Sequence, residues 1–432
     1  MMQEKAKSLI PGMTQLLSKR PDRFSFGIWP TYFSKAKGAH VWDLDGNRYL
    51  DMSIGGIGAN ILGYSDPDVD SAVIHAVSKG TSSSLNCPEE VELAQLLCEL
   101  HPWAQMVRYA RSGGEAMTIA IRIARASTKR DKIAFCGYHG WHDWYLAANL
   151  ASKNALGEHL LPGLSPVGVP KSLKDTAFPF RYNHIGELEA IVENHGKELA
   201  AIVMEPIRSV EPEAGFLKSV RNIADDVDAV LIVDEISTGF RLETGGAHLV
   251  YFDKSPDIAV FSKALGNGYP ISAIIGKKSI MEAAQSTFIS STNWTERIGP
   301  TAAIATIKKH KELKVHNHLI ELGETIRKGW LEASANHDLP IRVSGIKPMS
   351  HLVFDVKEKQ IMKAYFIQLM LEQGLLASTL FYAMYAHTFE HVGLYLEALH
   401  QAFEKIKRAH TMGILDKKIK GLPSAVGFQR LA

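Results

Sequence analysis

Three ionisable residues stand at the ends of short apolar runs: Glu205 after AAIVM (200–204), Asp234 after AVLIV (229–233), and Lys263, behind Ser262, after IAVF (258–261). A lone lysine in such a place is ordinarily a solvated strand end. Here Ala-Leu-Gly-Asn-Gly-Tyr-Pro and another apolar run, ISAII (271–275), follow it. Upstream, Ser112-Gly113-Gly114-Glu115 precedes the helical pattern AMTIAIRIARA. Serine at the cap with glutamate three residues on forms a capping box. The two glycines add a second reading, because they leave the first amides of a helix open to a phosphate. Tyr138, in CGYHGWHD, offers an aromatic face. An amine for a Schiff base, a carboxylate for a ring nitrogen, a ring to stack on and a helix start for a phosphate are the needs of an aldehyde-carrying pyridine cofactor.

Those residues need elements to carry them. Continuous apolar runs of four or five residues suit strands buried on both faces, as in a parallel sheet between helices. Helical patterns appear at 88–101, 186–196 and 298–311. This alternation over roughly 65–310 predicts an open, doubly wound α/β domain, whose ligands bind beyond the carboxyl ends of the strands. Glu205, Asp234 and Lys263 fall at those ends. Residues 39–52, AHVWDLDGNRYLDM, read as a hairpin turning at Asp45-Gly46. After 311 the chain reads as mostly helical, with strand-like pieces such as HLVFDV (351–356). The expected organisation is a large domain at 61–310 and a small one built from 1–60 and 311–432.

Composition narrows the class. The chain has 432 residues, 46% hydrophobic and 22% charged, ordinary values for a globular protein. A net charge of +2 argues against a broad nucleic-acid or polybasic membrane surface. The three cysteines show no metal spacing and suit a reducing compartment. With no legible signal peptide or membrane span, the expectation is a cytoplasmic protein with small-molecule partners, no nucleic acid, no membrane and no metal. AVLIVDE looks like a nucleotide-hydrolysing strand, but Gly276-Lys277-Lys278-Ser279 has Ile271 where a phosphate-binding loop needs its first glycine. The Gly56-Ile57-Gly58 stretch with Gly63 does not make a dinucleotide fingerprint either.

In combination these stretches resemble the class III (ω-type) pyridoxal-phosphate aminotransferases of fold type I, and within them the glutamate-1-semialdehyde 2,1-aminomutase branch. The resemblance rests on GAHVWDLDGNRYLD, RSGGEAMTIAIRIARA, CGYHGWHD, VGVPKSL, IVMEP, VLIVDEISTGFR, AVFSKALGNGYPISAIIG and AHT at 386–388, and covers most of the chain. It implies an α/β fold with a mostly parallel central sheet, helices on both faces and a smaller α+β domain. It implies pyridoxal 5'-phosphate as cofactor, with Lys263 forming the Schiff base and Asp234 facing the pyridinium nitrogen. Tyr138 would stack on the ring with His139 beside it, and Ser112, Gly113 and Gly114 would hold the phosphate. Glu205 and Ser237 belong to the same implied cofactor-binding set. Thr295, five residues before Pro300, matches the position that reaches the phosphate of the other subunit, with Thr292 a poorer match. That position implies a homodimer with a shared active site.

The chain also departs from the mutase pattern. LASTLFYAMYAHT (376–388) has no carboxylate where mutases carry a Phe-Glu pair, and MTQLLSK follows Ile10-Pro11-Gly12 in place of Ser-Pro-Val-Arg. Arg208-Ser209-Val210 and WTERIGP (294–300) are unusual as well. These departures favour ping-pong transfer from an amino donor to an aldehyde or keto acceptor over intramolecular mutation. A non-catalytic binding protein of this fold would need neither Lys263 nor Asp234. For the substrate, Arg208 is a candidate partner of a carboxylate or phosphate; its plain reading is a solvated loop residue. Trp141, Trp144, Trp294 and Tyr382 are candidates for an aromatic pocket, though such residues more often belong to the core. Mutase-like transaminases with rebuilt pockets act on amino-sugar and surface-polysaccharide precursors, which adds those to the candidate substrates.

Overall fold

The computed structural model describes residues 2–160, 162–207 and 209–427. The chain divides into two compact units, one at 67–316 and one drawn from both chain ends, 1–66 with 317–432.

Seven strands build the sheet of the first unit: β1 (Met106–Ala110), β2 (Lys132–Cys136), β3 (Ala177–Pro179), β4 (Leu199–Met204), β5 (Val230–Asp234), β6 (Ile258–Phe261) and β7 (Ser272–Gly276). Their order is β1-β7-β6-β5-β4-β2-β3. From β3 to β6 all pairings are parallel. Strand β7 runs antiparallel to both of its neighbours, β1 and β6. The ISAII run was expected among the parallel strands, and the structure corrects this. A continuous apolar run records burial on two faces, not chain direction.

Strand alternation decides where the site forms. Ile133, Phe135, Ala201, Val203, Val230 and Ile232 pack into one core cluster with Met117, Ala120, Ile121 and Ala124 of helix α1 (Gly113–Thr128). The intervening residues, Ala134, Cys136, Ile202, Met204, Leu231 and Val233, pack into a second cluster. That cluster includes Leu188 from helix α2 (Ile185–His195) and Val220 and Ala224 from helix α3 (Phe216–Asp226). Successive residues of a strand point to opposite faces. Continuing the count, Glu205 and Asp234 fall on the face that carries α1, whose first turn is the Gly113-Gly114 pair.

In the second unit the expected hairpin is present, with His40–Asp43 paired antiparallel to Arg48–Met52. Asp43 Oδ1 accepts the amides of Asp45 and Asn47, both at 2.9 Å, and Gly46 takes φ +86°. Leu375–Ala377 adds to the hairpin in parallel, and a three-stranded antiparallel sheet forms from Ile341–Ile346, Met349–Phe354 and Leu380–Tyr382. Among the described residues no helix is long and apolar enough to cross a membrane.

Each unit holds a buried neutral histidine. His387 donates from Nε2 to the Asp51 carbonyl at 2.7 Å and accepts the Met384 amide on Nδ1 at 3.0 Å. His310 donates from Nε2 to the Phe240 carbonyl at 2.8 Å and accepts the Thr244 hydroxyl on Nδ1 at 2.9 Å. A ring that donates once and accepts once carries no charge. Burial holds both rings down at about 4. An unfolded imidazole titrates near 6.5, so below that pH the unfolded chain binds more protons than the folded one. Stability should therefore fall as pH drops from about 6.5 towards 4, by up to about 3 kcal/mol per histidine. Urea unfolding at pH 7.5 and pH 5 measures this, and replacing His310 by Asn should flatten the loss.

Candidate active site

Asp234 and Glu205 are both buried, 3% and 4% exposed, so each needs partners. Asp234 Oδ1 accepts the Ile236 amide at 2.9 Å, and Oδ2 lies 2.7 Å from His139 Nδ1. His139 Nε2 lies 3.0 Å from the Cys136 carbonyl. A carbonyl only accepts, so Nε2 carries a hydrogen, and a second proton lies between Nδ1 and Oδ2. The pair is a buried, charge-assisted hydrogen bond that leaves a lone pair on each carboxylate oxygen. Three residues on, Ser237 Oγ accepts from Lys263 Nζ at 2.7 Å. Lys263 takes φ +43°, a left-handed backbone that costs an L residue about 1–2 kcal/mol and persists only where its surroundings hold it. Between them, Ile236 reaches α1: a Cβ on Gly113 would stand 2.9 Å from Ile236 Cδ1. The turn 234–237 thus touches His139, the start of α1 and Lys263.

Tyr138 is held through its backbone. The amide of Gly137 donates to His159 Nδ1 at 3.2 Å, and its carbonyl accepts the Tyr145 hydroxyl at 2.9 Å. The Tyr138 amide donates to Glu205 Oε2 at 3.2 Å. Gly137 takes φ +112°, and a Cβ there would stand 2.6 Å from Glu205 Oε2. Glu205 therefore acts on the loop that carries Tyr138. Further along, Gly140 turns against Gly114, and the side chains of Trp141 and His142 cover Gly114. Burial lowers the His142 imidazole below its ordinary value, while Glu115 and Asp143 oppose the shift.

Glu115 Oε2 accepts the amides of Arg111 and Ser112 at 3.0 and 2.9 Å, the carboxylate half of the expected capping box. The guanidinium of Arg111 donates to the Trp294 and Glu296 carbonyls, both at 3.0 Å, and pairs with Glu296 Oε1 at 2.9 Å. The residues on either side of Thr295 are thereby tied to Arg111. Thr295 itself is exposed, and its hydroxyl donates to the Thr292 carbonyl at 3.0 Å. Of the aromatic candidates, Trp144 and Trp294 pack into the core beside α1, and Tyr382 packs beside Phe24 and Trp29 in the other unit. Trp141 is 69% exposed. Arg208 lies outside the described residues. Ile236, His142, Gly137, Tyr145 and His159 were not singled out from the sequence; Ile236 follows Asp234 by two residues, Gly137 and His142 lie within CGYHGWHD, and Tyr145 and His159 lie outside every stretch that drew attention.

Residues 27–409 match the family described as aminotransferase class-III. This chain belongs to the class III aminotransferases. It is 32% identical over 418 residues to the 3-aminobutyryl-CoA aminotransferase of Cloacimonas acidaminovorans (strain Evry), which covers 94% of this chain and 96% of that protein. It is 35% identical over 429 residues to the glutamate-1-semialdehyde 2,1-aminomutase of Desulforamulus reducens, with 93% and 96% covered. Among solved structures, the FumI protein of Sphingopyxis sp. MTA144, in its PLP internal aldimine form, superposes with a TM-score of 0.84 at 25% identity, covering 95% and 96% of the two chains. As a class III aminotransferase the chain uses pyridoxal phosphate and moves an amino group between small-molecule amino and oxo substrates. The residues fit that cofactor: a helix that opens on two glycines, a buried carboxylate with lone pairs to spare, and the primary amine of Lys263 hydrogen-bonded to the turn that follows the carboxylate.

Gly137→Ala should displace Glu205 and loosen the Tyr138 loop, lowering both the melting temperature and cofactor retention through gel filtration. Gly215→Ala shares a positive φ of +84° but meets nothing within 4 Å, so it should lower stability alone.

Proposed function

We propose that Lys263 is the amine that holds the cofactor and carries the proton during transfer, with Asp234, Tyr138 and Ser112–Gly114 placing the ring and phosphate. The observation that carries this reading is the turn 234–237, where the paired carboxylate and the Lys263–Ser237 hydrogen bond lie three residues apart. Pyridoxal phosphate, when bound, supplies an aldehyde that takes up the donor's amino group and a ring that accepts the electron pair left by the departing proton. Lys263 Nζ would take that proton from the donor carbon and deliver it to the cofactor rather than back to the donor, which leaves the donor as its oxo product. Ser237 orients the amine. Asp234 keeps a proton on the ring nitrogen with a lone pair that His139 and the Ile236 amide leave unused. Tyr138 covers one face of the ring, and the hydroxyl of Ser112 with the amides of Gly113 and Gly114 binds the phosphate.

The working form is a homodimer in which Thr295 of one copy reaches the phosphate site of the other. Its exposure supports this, as do the exposed apolar side chains Leu85, Val91 and Phe288 in the same unit. Three free cysteines are in keeping with a cytoplasmic location. Transfer between two molecules is favoured over mutation because the segment 376–388 offers no carboxylate.

Borohydride reduction followed by peptide mapping should place the cofactor mass on the peptide containing Lys263, and Lys263→Ala should lose both the adduct and the half-reaction. Cofactor mass on another lysine would overturn the assignment. With a 15N-labelled amino donor the label should appear in the product; a product without label would establish the mutase reaction.

A further inference from the structure

We propose that His142 is a further ligand of the cofactor phosphate, donating from Nε2 beside Gly114. The proposal rests on Ser112–Gly114 being the phosphate cradle. Glycine in a helix is disfavoured against alanine by about 1 kcal/mol. Gly114 does not take a left-handed backbone, so its own conformation gives no reason for the choice. What the absent side chain admits is an imidazole. A Cβ on Gly114 would stand 3.1 Å from His142 Cδ2 and 3.2 Å from His142 Nε2. The ring therefore occupies the space a residue-114 side chain would fill, against the second residue of α1, where the free amides open. Gly113, one residue earlier, admits the apolar Ile236. The two glycines thus serve different neighbours, one apolar and one a hydrogen-bond donor.

His142 is placed firmly. Its carbonyl accepts the amides of Tyr145 and Leu146 at 3.0 and 3.2 Å. Gly140, at φ +99°, turns the preceding backbone against α1. The Trp141 ring lies 4.5 Å from the imidazole, centroid to centroid. Among the described residues neither ring nitrogen of His142 has a hydrogen-bond partner, so its donor is available to a ligand. An imidazole N–H held at a helix start is suited to a phosphate oxygen and adds a directed side-chain donor to the backbone amides.

The test compares the apoenzyme's affinity for pyridoxal phosphate with its affinity for phosphate-free pyridoxal, read by quenching of protein fluorescence. His142→Ala should weaken pyridoxal phosphate about tenfold or more and pyridoxal less than about twofold. His142→Gln, which keeps a donor, should recover part of the loss. Gly114→Ser added to His142→Ala should also recover affinity, since its hydroxyl enters the space the ring leaves. The 31P resonance of the bound cofactor should move in His142→Ala. Equal weakening of both ligands, or of neither, would overturn the proposal. Ser112→Ala separates the two levels. A lost preference for the phosphate ligand there, with none lost in His142→Ala, leaves the cradle standing and removes His142. No lost preference in either variant removes the cradle together with the proposal.

Discussion

A carboxylate buried at the end of a fully buried strand is the constraint around which this site is arranged. Strand β5 offers Asp234 no solvent, so its charge is met by His139 and the Ile236 amide. Removing one partner of such a pair typically costs about 3–5 kcal/mol, because the other charge stays buried. The compensation also shapes the chain. His139 reaches from Asp234 to the carbonyl of Cys136 at the end of β2, and β4 lies between those two strands in the sheet. Glu205, one residue beyond β4, takes the Tyr138 amide. Three neighbouring strand ends are thereby joined through one short loop, and Tyr138 is placed as a consequence.

Close approach is the second condition. The loop 137–142 and the turn 234–237 lie against the start of α1 because the residues at the contacts have no side chains. Gly113 faces Ile236, Gly114 faces His142, Gly140 faces the Gly114 backbone and Gly137 faces Glu205, all closer than an added Cβ would allow without movement. The result is a helix N-terminus, carrying its partial positive charge, with open amides a short reach from a buried negative carboxylate. A zwitterionic ring with an anionic tail matches that distribution.

Much of this was legible before any coordinates. Asp234 and Lys263 stand out in combination with Tyr138 and Ser112–Glu115, since a lone ionisable residue at the end of an apolar run is ordinarily just a solvated strand end. That Glu205 and Asp234 share the face of α1 came only with the structure, from the packing of alternate residues of β4 and β5. Other features were not legible, for physical reasons. The direction of β7 leaves no mark on an apolar run. Strand β2 leads into Gly137 rather than an ionisable residue, so nothing drew attention to KIAFC as a strand that ends at the site. His159 lies 22 residues from Gly137, and its contact depends on the path of the intervening loop. The significance of His142 depends on the side chain that Gly114 lacks, which only packing reveals.

A crystal structure of the cofactor-loaded protein tests the central role of Asp234 most directly. The pyridine nitrogen should lie about 3 Å from an Asp234 oxygen, with His139 still bridging to the Cys136 carbonyl and the phosphate on the amides of Gly113 and Gly114. A ring nitrogen facing water or another side chain, with Asp234 bonded to His139 alone, would contradict the arrangement described here.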